Sequence, residues 1–360
     1  MASLRPVRGT PREILALLRS WEAEPGEPEP LVVETSGSTG EPKRVVLSRA
    51  AMRASATATH DRLGGPGQWL LNLPATYVAG LQVLFRSVLA GTDPVVQDEH
   101  DGFAAAAAAM TGSRRYVSLV PTQLVRMLGS DRDVQALRRF DTVLVGGART
   151  DPAVRESAEA AGVRVVATYG MSETCGGCVY DAMPLDGVAV AVGTDGRVRI
   201  GGPVLFDGYD GRPELTARVR RDGWFVTSDL GRLDDDGRLE VLGRVDDVVV
   251  SGGVNVPAPA VAARLREHPA VAAAEAVGVD DPEWGQRVVA VVVPVPGTEP
   301  PSLEGLRDFV AEAHPRAWAP RGLAVVEEIP LLDNGKVDRL ALAQVAGRGA
   351  SVSRPPGEHP

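Results

Sequence analysis

The sequence predicts an α/β protein in which a large N-terminal domain precedes a small α+β C-terminal domain. Between residues 69 and 167, short apolar runs alternate with helical patterns, an order typical of a mostly parallel sheet covered by helices. From Gly187 onward, short strands separated by Asp-Gly turns predict a small β-rich subdomain. The 360 residues also exceed what one ordinary hydrophobic core accommodates, so two domains are expected.

Helices are predicted where apolar residues recur at helical spacing or where helix formers lie between capping residues. Asp151 as N-cap, Pro152 at the first helical position and Gly162 after the end delimit one of them. The predicted helices cover residues 12–21, 49–63, 77–90, 103–110, 122–128, 152–161, 258–267 and 303–313. The predicted strands cover residues 31–33, 45–47, 69–73, 95–96, 116–120, 142–145, 163–167, 188–192, 198–200, 239–242, 248–250, 271–279, 287–293 and 323–326.

These elements group into two domains joined by a short hinge. Residues 1–243 are expected to form the large domain, residues 244–247 the hinge and residues 248–345 the small mobile domain, whose length of about 100 residues is common for a domain. Residues 346–360 are rich in Pro, Gly and Ser and are expected to form a disordered tail.

Composition excludes several classes of function. The hydrophobic content of 44% and the charged content of 24% are those of a soluble globular protein. No apolar run approaches the ~20 residues that span a bilayer, and the first 12 residues lack a secretory apolar core, so no membrane insertion and a cytoplasmic location are expected. The net charge of −9 argues against nonspecific nucleic-acid binding but permits a small anionic ligand.

Lysine and cysteine are both rare. Of 38 basic residues only Lys43 and Lys336 are lysines, and both lie in glycine-containing polar segments, which favours sites that need a compact ammonium group. The two cysteines, Cys175 and Cys178, have no further cysteine pair or histidine cluster to complete a zinc site. They are therefore interpreted as small pocket or core residues.

The most informative segment is Thr-Ser-Gly-Ser-Thr-Gly-Glu-Pro-Lys, residues 35–43, between two predicted strands. Its glycines let backbone N–H groups approach an oxyanion, while its hydroxyls and its lysine add donors and charge. It is not a Walker A loop, because that loop continues from Gly-Lys into a helix. The alternative is a polar hairpin loop. The candidate phosphate ligands are Thr35, Ser36, Gly37, Ser38, Thr39, Gly40 and Lys43.

Two further polar segments follow predicted strands, Gly146–Ala148 and residues 168–174. Parallel sheets bind ligands at the carboxyl ends of their strands, so both segments, together with residues 35–43, are expected at one such edge. Tyr169 offers an aromatic face, and Glu173 offers one of the carboxylates that Mg²⁺ uses alongside phosphate oxygens. Asp229, after another short strand, is a suitable partner for a ribose diol.

Five motifs occur in the order found in one enzyme superfamily, at residues 35–43, 169–174, 227–229, 243–247 and 334–336. Together they resemble the adenylate-forming enzymes: acyl-CoA synthetases, carrier-protein adenylation domains and luciferases. The resemblance covers roughly residues 30–343 and implies ATP, Mg²⁺ and, for the CoA synthetases, CoA as a co-substrate.

The resemblance also implies roles for individual residues. Lys336 would be catalytic, bridging the substrate carboxylate and the α-phosphate, and Glu173 would hold Mg²⁺. Asp246 would be the hinge, and Gly252 and Gly253 would line the CoA tunnel. Besides residues 35–43, the implied ATP and AMP ligands are Gly146, Gly147, Ala148, Tyr169, Gly170, Ser172, Asp229 and Arg244.

Within the superfamily, residues 73–84, 120–124 and 173–181 are most similar to the short actinobacterial o-succinylbenzoate–CoA ligases of menaquinone biosynthesis. The implied contacts to the acid are Tyr77, Gln123, Gly147 and Gly176. The acid has two carboxylates, so the second needs a donor or a cation. Arg149, Arg86 and Arg115 are the candidates, the alternative for each being a surface ion pair, and the sequence does not choose among them.

Other functions remain open at this stage. The alternatives are a CoA ligase for another aromatic or fatty acid and a stand-alone adenylation enzyme that loads a carrier protein. A nucleotide-binding protein without catalysis is disfavoured because Lys336, Glu173 and Asp229 are present together. Only 34 residues precede the phosphate loop, so one wall of the acyl pocket is expected from elsewhere, for example from a second subunit in a homodimer.

Overall fold

The computed structural model describes residues 4–35, 42–330 and 337–349. Contacts divide the chain into two compact units. The first comprises Met1–Gly193, Val198–Thr227 and Leu233–Glu240, and the second comprises Thr194–Arg197, Ser228–Arg232 and Val241–Pro360.

The α-helices begin at capping residues in several cases, as at Thr10, Ser48, Ser130, Asp151 and Ser302, whose side chains accept backbone N–H groups of the first turn. In chain order they are α1 (Pro11–Ala23), α2 (Arg49–Arg62), α3 (Val78–Leu89), α4 (Phe103–Ala109), α5 (Pro121–Leu128), α6 (Asp131–Leu137), α7 (Pro152–Ala160), α8 (Pro213–Val219), α9 (Ala258–Arg266), α10 (Leu303–Ala311) and α11 (Arg339–Gly349).

In chain order the strands are β1 (Arg5–Pro6), β2 (Leu31–Thr35), β3 (Lys43–Leu47), β4 (Gln68–Leu71), β5 (Val95–Val96), β6 (Arg115–Leu119), β7 (Thr142–Val145), β8 (Val165–Met171), β9 (Gly176–Tyr180), β10 (Met183–Pro184), β11 (Ala189–Val192), β12 (Arg197–Gly201), β13 (Gly208–Tyr209), β14 (Arg220–Arg221), β15 (Trp224–Leu233), β16 (Leu239–Arg244), β17 (Val248–Ser251), β18 (Val254–Pro257), β19 (Val271–Asp281), β20 (Gly285–Pro294) and β21 (Gly322–Val325). The predicted α/β fold class is confirmed.

The first unit contains the predicted parallel sheet. Within the described residues its order is β5-β4-β6-β7-β8, extended at the β8 edge by antiparallel β9 and β10. Successive strand residues alternate between faces. Val117, Val143 and Val165 therefore face one side, where they join a buried cluster with residues of α4 to α7. Helix α3 contacts β4 and β6, where Trp69 and Tyr116 are fully buried.

The predicted phosphate loop connects strands of a different sheet. Strands β2 and β3 pair in antiparallel register, with Thr35 opposite Lys43, and belong to the order β1-β2-β3-β13. The expectation that all three polar segments follow strands of one parallel sheet is therefore wrong for residues 35–43. The apolar run before the segment pairs with the run after it, so the backbone hydrogen bonds of β2 and β3 do not depend on the parallel sheet.

Residues 168–171 are strand, whereas the sequence predicts a loop over residues 168–174. Strand β8 continues to Met171 because β9 pairs with it, placing Thr168 opposite Tyr180 and Met171 opposite Gly176. The pairing is close, since a Cβ on Gly170 would lie 2.1 Å from the carbonyl oxygen of Gly176. A 3₁₀ turn, Ser172–Thr174, follows.

The rest of the first unit matches the predicted β-rich subdomain in character. Strands β11 and β12 pair in antiparallel register, and β14 pairs with the start of β15, with Arg221 opposite Trp224. The described helices and strands that have no counterpart in the prediction are α6, α8, α11, β1, β9, β10, β13, β14 and β18.

The second unit is built on the hairpin of β19 and β20, whose ladder runs from Val271 opposite Pro294 to Asp281 opposite Gly285. Along β20, Val288 and Ala290 are buried in one cluster with residues of α9 and α10, whereas Val289 and Val291 are buried in another with residues of α11. Helices thus cover both faces of this sheet. Residues 346–349, expected in a disordered tail, continue helix α11, and residues 350–360 lie outside the described part of the chain.

None of the helices that the structure describes is long and apolar enough to cross a bilayer.

A histidine is buried inside the first unit. His60, on α2, is 7% exposed, and no group of the described residues bonds its Nε2 atom. Burial, with a smaller contribution from the positive charge of Arg86, lowers the pKa of His60 from 6.5 to about 4. The folded protein therefore holds this ring neutral at pH values where an unfolded chain protonates it.

We expect the free energy of unfolding to fall between pH 7 and pH 5, by about 2 kcal/mol from His60, because the unfolded state takes up the proton first. Urea denaturation at pH 7, 6 and 5 measures this slope. The variant His60→Gln should have a shallower slope, and His100→Gln, at a partly exposed position, should match the wild type. Equal slopes in wild type and His60→Gln would contradict the assignment.

Candidate active site

A cavity of about 300 Å³ lies in the first unit, where strands β6, β7 and β8 end. The residues that line it from these strand ends are Ser118, Leu119, Val120, Leu144, Gly146, Gly147, Thr168 and Gly170. Helix α3, from Val78 to Arg86, forms a second wall with the turn before it, and β9 forms a third. The location is the edge at which the sequence predicts ligand binding by residues 146–148 and 168–174.

Glycines make room for the cavity. A Cβ on Gly146 would lie 2.3 Å from Thr168 Oγ1, and a Cβ on Gly80 would lie 2.3 Å from the carbonyl oxygen of Pro74. Gly147 and Gly176 have φ values of +82° and +102°, which side chains other than glycine rarely adopt. Larger residues at these positions would either fill the cavity or displace the strands that shape it.

Arg86 places a positive charge in the cavity wall. Its side chain is 3% exposed, and no carboxylate of the described residues forms an ion pair with it. Its guanidinium lies 5.0 Å from the ring centroid of Trp69, and Nη2 donates a long hydrogen bond of 3.5 Å to the Tyr180 hydroxyl. Burial lowers the pKa of Arg86, the direction expected for a cation that is poorly solvated.

The other two arginine candidates lie elsewhere. Arg115 Nε donates to the carbonyl oxygen of Gly112 at 2.9 Å, and Arg149 is exposed. Neither residue lines the cavity. Of the three arginines that the sequence left open, Arg86 is therefore the one that faces the cavity.

Glu173 lies in the 3₁₀ turn after β8 and accepts a hydrogen bond of 2.7 Å from the Tyr209 hydroxyl. Burial, and next the negative charge of Glu173, raise the pKa of Tyr209, so this hydroxyl stays protonated and keeps donating. The Lys43 ammonium lies 5.5 Å from the centroid of the Tyr209 ring. Tyr209 belongs to β13, which pairs with β3, and it thereby connects the hairpin of the predicted phosphate loop to Glu173.

A single carboxylate does not make a complete metal site. Among the described residues, no group of three or more His, Cys, Asp or Glu side chains could hold an ion. Magnesium commonly uses one or two carboxylates with phosphate oxygens as its other ligands. The surroundings of Glu173 fit an ion that arrives with a nucleotide, and they do not fit a protein-only site.

The remaining predicted nucleotide ligands are only partly described. Gly146 and Gly147 line the cavity, Ala148 is exposed beside them, Tyr169 and Gly170 lie on β8, and Ser172 is buried in the following turn. Thr35 and Lys43 are paired at the end of the β2–β3 hairpin. Ser36, Gly37, Ser38, Thr39, Gly40 and Lys336 lie outside the described residues.

The predicted acyl contacts divide into two groups. Tyr77, Gly147 and Gly176 line the cavity, with Tyr77 half-exposed at its rim. Gln123 is absent from the lining, and its amide is used by the backbone: Oε1 accepts from Val120 N at 3.0 Å and Nε2 donates to Asn72 O at 3.1 Å. Gln123 thus fixes the start of α5 beside the cavity.

Both cysteines are free and buried, as the sequence predicts. Burial raises the pKa of Cys178 to about 12 and that of Cys175 still higher, so both thiols remain protonated. Protonated, inaccessible thiols are poor metal ligands and poor nucleophiles. The core interpretation is confirmed.

The second unit holds the other predicted site residues. Arg244 lies 3.9 Å from Asp229 and 3.7 Å from Asp246, nitrogen to oxygen. Asp246 is in a 3₁₀ turn, Val245–Asp247, directly after β16. Gly252 and Gly253, both with positive φ, form the turn of the β17–β18 hairpin, and a Cβ on Gly252 would lie 2.5 Å from the Trp284 ring.

Sequence reasoning did not single out Tyr180 or Tyr209. Neither is among the residues that the sequence assigns to nucleotide binding. Each contacts a predicted site residue from a distant part of the chain: Tyr180 contacts Arg86, and Tyr209 contacts Glu173. The residue type alone gives a weak indication of such a contact, because a buried tyrosine usually needs a partner for its hydroxyl. Which partner it finds depends on strand pairing that the sequence pattern does not reveal.

The chain matches two family models. The model described as AMP-binding enzyme matches residues 31–205, and the model described as AMP-binding enzyme C-terminal domain matches residues 260–336.

Two curated relatives are similar over most of their length. A probable 2-succinylbenzoate–CoA ligase of Mycobacterium tuberculosis (strain ATCC 25618 / H37Rv) is 47% identical over 321 residues, covering 87% of this chain and 84% of the relative. A 2-succinylbenzoate–CoA ligase of Bacillus cereus (strain Q1) is 31% identical over 340 residues, covering 87% of this chain and 69% of the relative.

A solved structure shares the fold. The o-succinylbenzoate CoA synthetase of Bacillus subtilis, in complex with its acyl-adenylate intermediate, superposes with a TM-score of 0.69 at 28% identity. The match covers 87% of this chain and 68% of that chain.

Proposed function

The chain belongs to the AMP-binding enzyme family, and we propose that it is a 2-succinylbenzoate–CoA ligase. In the first step the acid and ATP give an acyl-adenylate and pyrophosphate; in the second, the CoA thiol displaces AMP and forms the thioester. One observation in the cavity supports this substrate most strongly: a buried guanidinium that no carboxylate of the described residues pairs with, in a space of a size suited to a small aromatic acid.

Arg86 would hold the carboxylate of the substrate that does not react. A buried cation costs several kcal/mol of solvation free energy unless an anion and hydrogen bonds offset it. The described residues supply Arg86 with an aromatic face and one hydroxyl only. A diacid would complete the ion pair, whereas an acid with a single carboxylate would leave the charge unpaired.

Glu173, Tyr209 and Lys43 would receive the phosphate end of ATP. Lys43 supplies positive charge, and the Tyr209 hydroxyl fixes one oxygen of Glu173. When bound, Mg²⁺ would neutralise charge on the phosphate oxygens, with Glu173 as its protein ligand. Positioned cations of this kind lower the barrier when a carboxylate approaches phosphorus, because two anions must meet.

The other nucleotide contacts follow the family resemblance. Tyr169 would lie against adenine, and Asp229 with Arg244 would bind the ribose hydroxyls. Lys336 would contact the reacting carboxylate and the α-phosphate during adenylation. A cytoplasmic location and a homodimer stay predictions, which cell fractionation and light scattering test.

The purified enzyme should adenylate and thioesterify o-succinylbenzoate in strong preference to two analogues, 4-oxo-4-phenylbutanoate and 2-butyrylbenzoate. Each analogue lacks one of the two carboxylates, so whichever turns over identifies the reacting one. In Arg86→Met, kcat/KM for o-succinylbenzoate should fall roughly 30-fold or more, because a buried ion pair is lost. Acyl-CoA formation is measured by mass spectrometry.

Arg115→Met is the matched control, since Arg115 does not line the cavity, and it should keep the wild-type preference. Arg86→Met should also unfold at the same temperature as the wild type or higher, because it removes a buried unpaired charge. Rapid turnover of a different acid, with poor turnover of o-succinylbenzoate, would contradict the proposed substrate and keep the adenylating chemistry.

Glu173→Gln should raise the Mg²⁺ concentration needed for half-maximal ATP–pyrophosphate exchange, on the order of tenfold, because a neutral amide binds Mg²⁺ poorly. Tyr209→Phe should raise this Mg²⁺ concentration less, since the variant loses the hydrogen bond to the Glu173 carboxylate but keeps the carboxylate itself. If Glu173→Gln needs no more Mg²⁺ than the wild type does, the metal assignment is wrong.

Lys336→Ala should reduce adenylation by about 10²–10³-fold, because it removes a cation from the developing charge. It should still convert preformed acyl-adenylate to the thioester, the step for which the resemblance gives Lys336 no role. Single-turnover assays of the two half-reactions separate these effects, with Lys336→Arg as a variant that keeps the charge. Equal losses in both half-reactions would refute this role.

A further inference from the structure

We infer that Tyr180, fixed by Thr59, is a positioning residue for Arg86 and thereby sets the preference of the cavity for acids with a second carboxylate. The inference rests on the proposed function, because it assumes that Arg86 binds that carboxylate.

Three buried side chains from three elements form one hydrogen-bond network. Arg86 on α3 lies 3.5 Å from the Tyr180 hydroxyl on β9, measured from Nη2. The same hydroxyl lies 3.0 Å from Thr59 Oγ1 on α2. Thr59 and Tyr180 are 0% and 2% exposed, so water does not compete for these groups.

The direction of each hydrogen bond in this network follows from which groups can donate a proton. A guanidinium only donates, so the Tyr180 oxygen accepts from Arg86. Thr59 Oγ1 donates its single proton to the carbonyl oxygen of Ser55 at 2.9 Å, so it must accept from Tyr180. The Tyr180 proton therefore points away from Arg86, and an oxygen lone pair faces the cation.

This arrangement matters because little else holds the guanidinium. Within the described residues, Tyr180 is the one hydrogen-bond acceptor for Arg86, and Nε has none. The Trp69 ring restrains the guanidinium plane but fixes no N–H direction. Without the hydroxyl, Arg86 would be expected to sample orientations that do not match a carboxylate fork.

A purely structural role for Tyr180 makes a different prediction. Its ring packs closely on β9, since a Cβ on Gly177 would lie 2.9 Å from Tyr180 Cε1. If packing were its whole contribution, losing the hydroxyl would change stability or all substrates alike. A positioning role instead changes only the substrate that uses Arg86.

The test compares kcat and KM for o-succinylbenzoate and for the analogue with one carboxylate that turns over, in four variants. Tyr180→Phe and Thr59→Val should raise KM for o-succinylbenzoate about tenfold, with kcat little changed and the analogue unaffected. Thr59→Ser keeps the hydroxyl and should resemble the wild type. Arg86→Met should lose the preference altogether, which checks the premise.

Two results would overturn the inference. If Arg86→Met abolishes the preference but Tyr180→Phe and Thr59→Val keep it, Arg86 binds the carboxylate without help from Tyr180. If Arg86→Met keeps the preference, the assumed role of Arg86 fails first, and the inference fails with it. Because Thr59→Val and Thr59→Ser lie outside the cavity lining, they decide the question even if Tyr180→Phe folds poorly.

Discussion

A buried guanidinium is the constraint on which the proposed acid site depends. The protein places Arg86 against an otherwise largely apolar cavity and leaves it without a carboxylate partner among the described residues. Such a group costs stability, and proteins commonly keep a costly arrangement of this kind where function requires it. The sheet around it is well packed, with Trp69 and Tyr116 fully buried. In the proposed function, the same charge that destabilises the free protein would give a diacid its advantage over a monoacid.

The backbone of β7, β8 and β9 shapes the cavity that Arg86 faces. Gly146 and Gly170 allow β7, β8 and β9 to approach more closely than any side chain permits. The end of β8 then passes directly into the turn that carries Glu173, which Tyr209 connects to the β2–β3 hairpin. The end of β8, which lines the cavity, is therefore continuous with the turn that carries the carboxylate proposed for the metal.

Much of this could be predicted from the sequence, because the parallel strands are apolar runs and the motifs lie in a recognisable order. The extension of β8 over residues 168–171 could not, since its polar, glycine-containing sequence favours a loop until β9 pairs with it. The choice of Arg86 over Arg115 and Arg149 also required the structure, because these chemically identical side chains differ only in burial and position. Tyr180 was missed for the same reason, since its partners are 94 and 121 residues away.

A crystal structure of the enzyme with o-succinylbenzoyl-adenylate tests the central claim most directly. The unreacted carboxylate should lie within hydrogen-bonding distance, about 2.7–2.9 Å, of the Arg86 guanidinium nitrogens. The Tyr180 hydroxyl should still contact Nη2 in that complex. A carboxylate bound by other groups or by solvent, with Arg86 still unpaired, would contradict the claim that this buried charge selects the substrate.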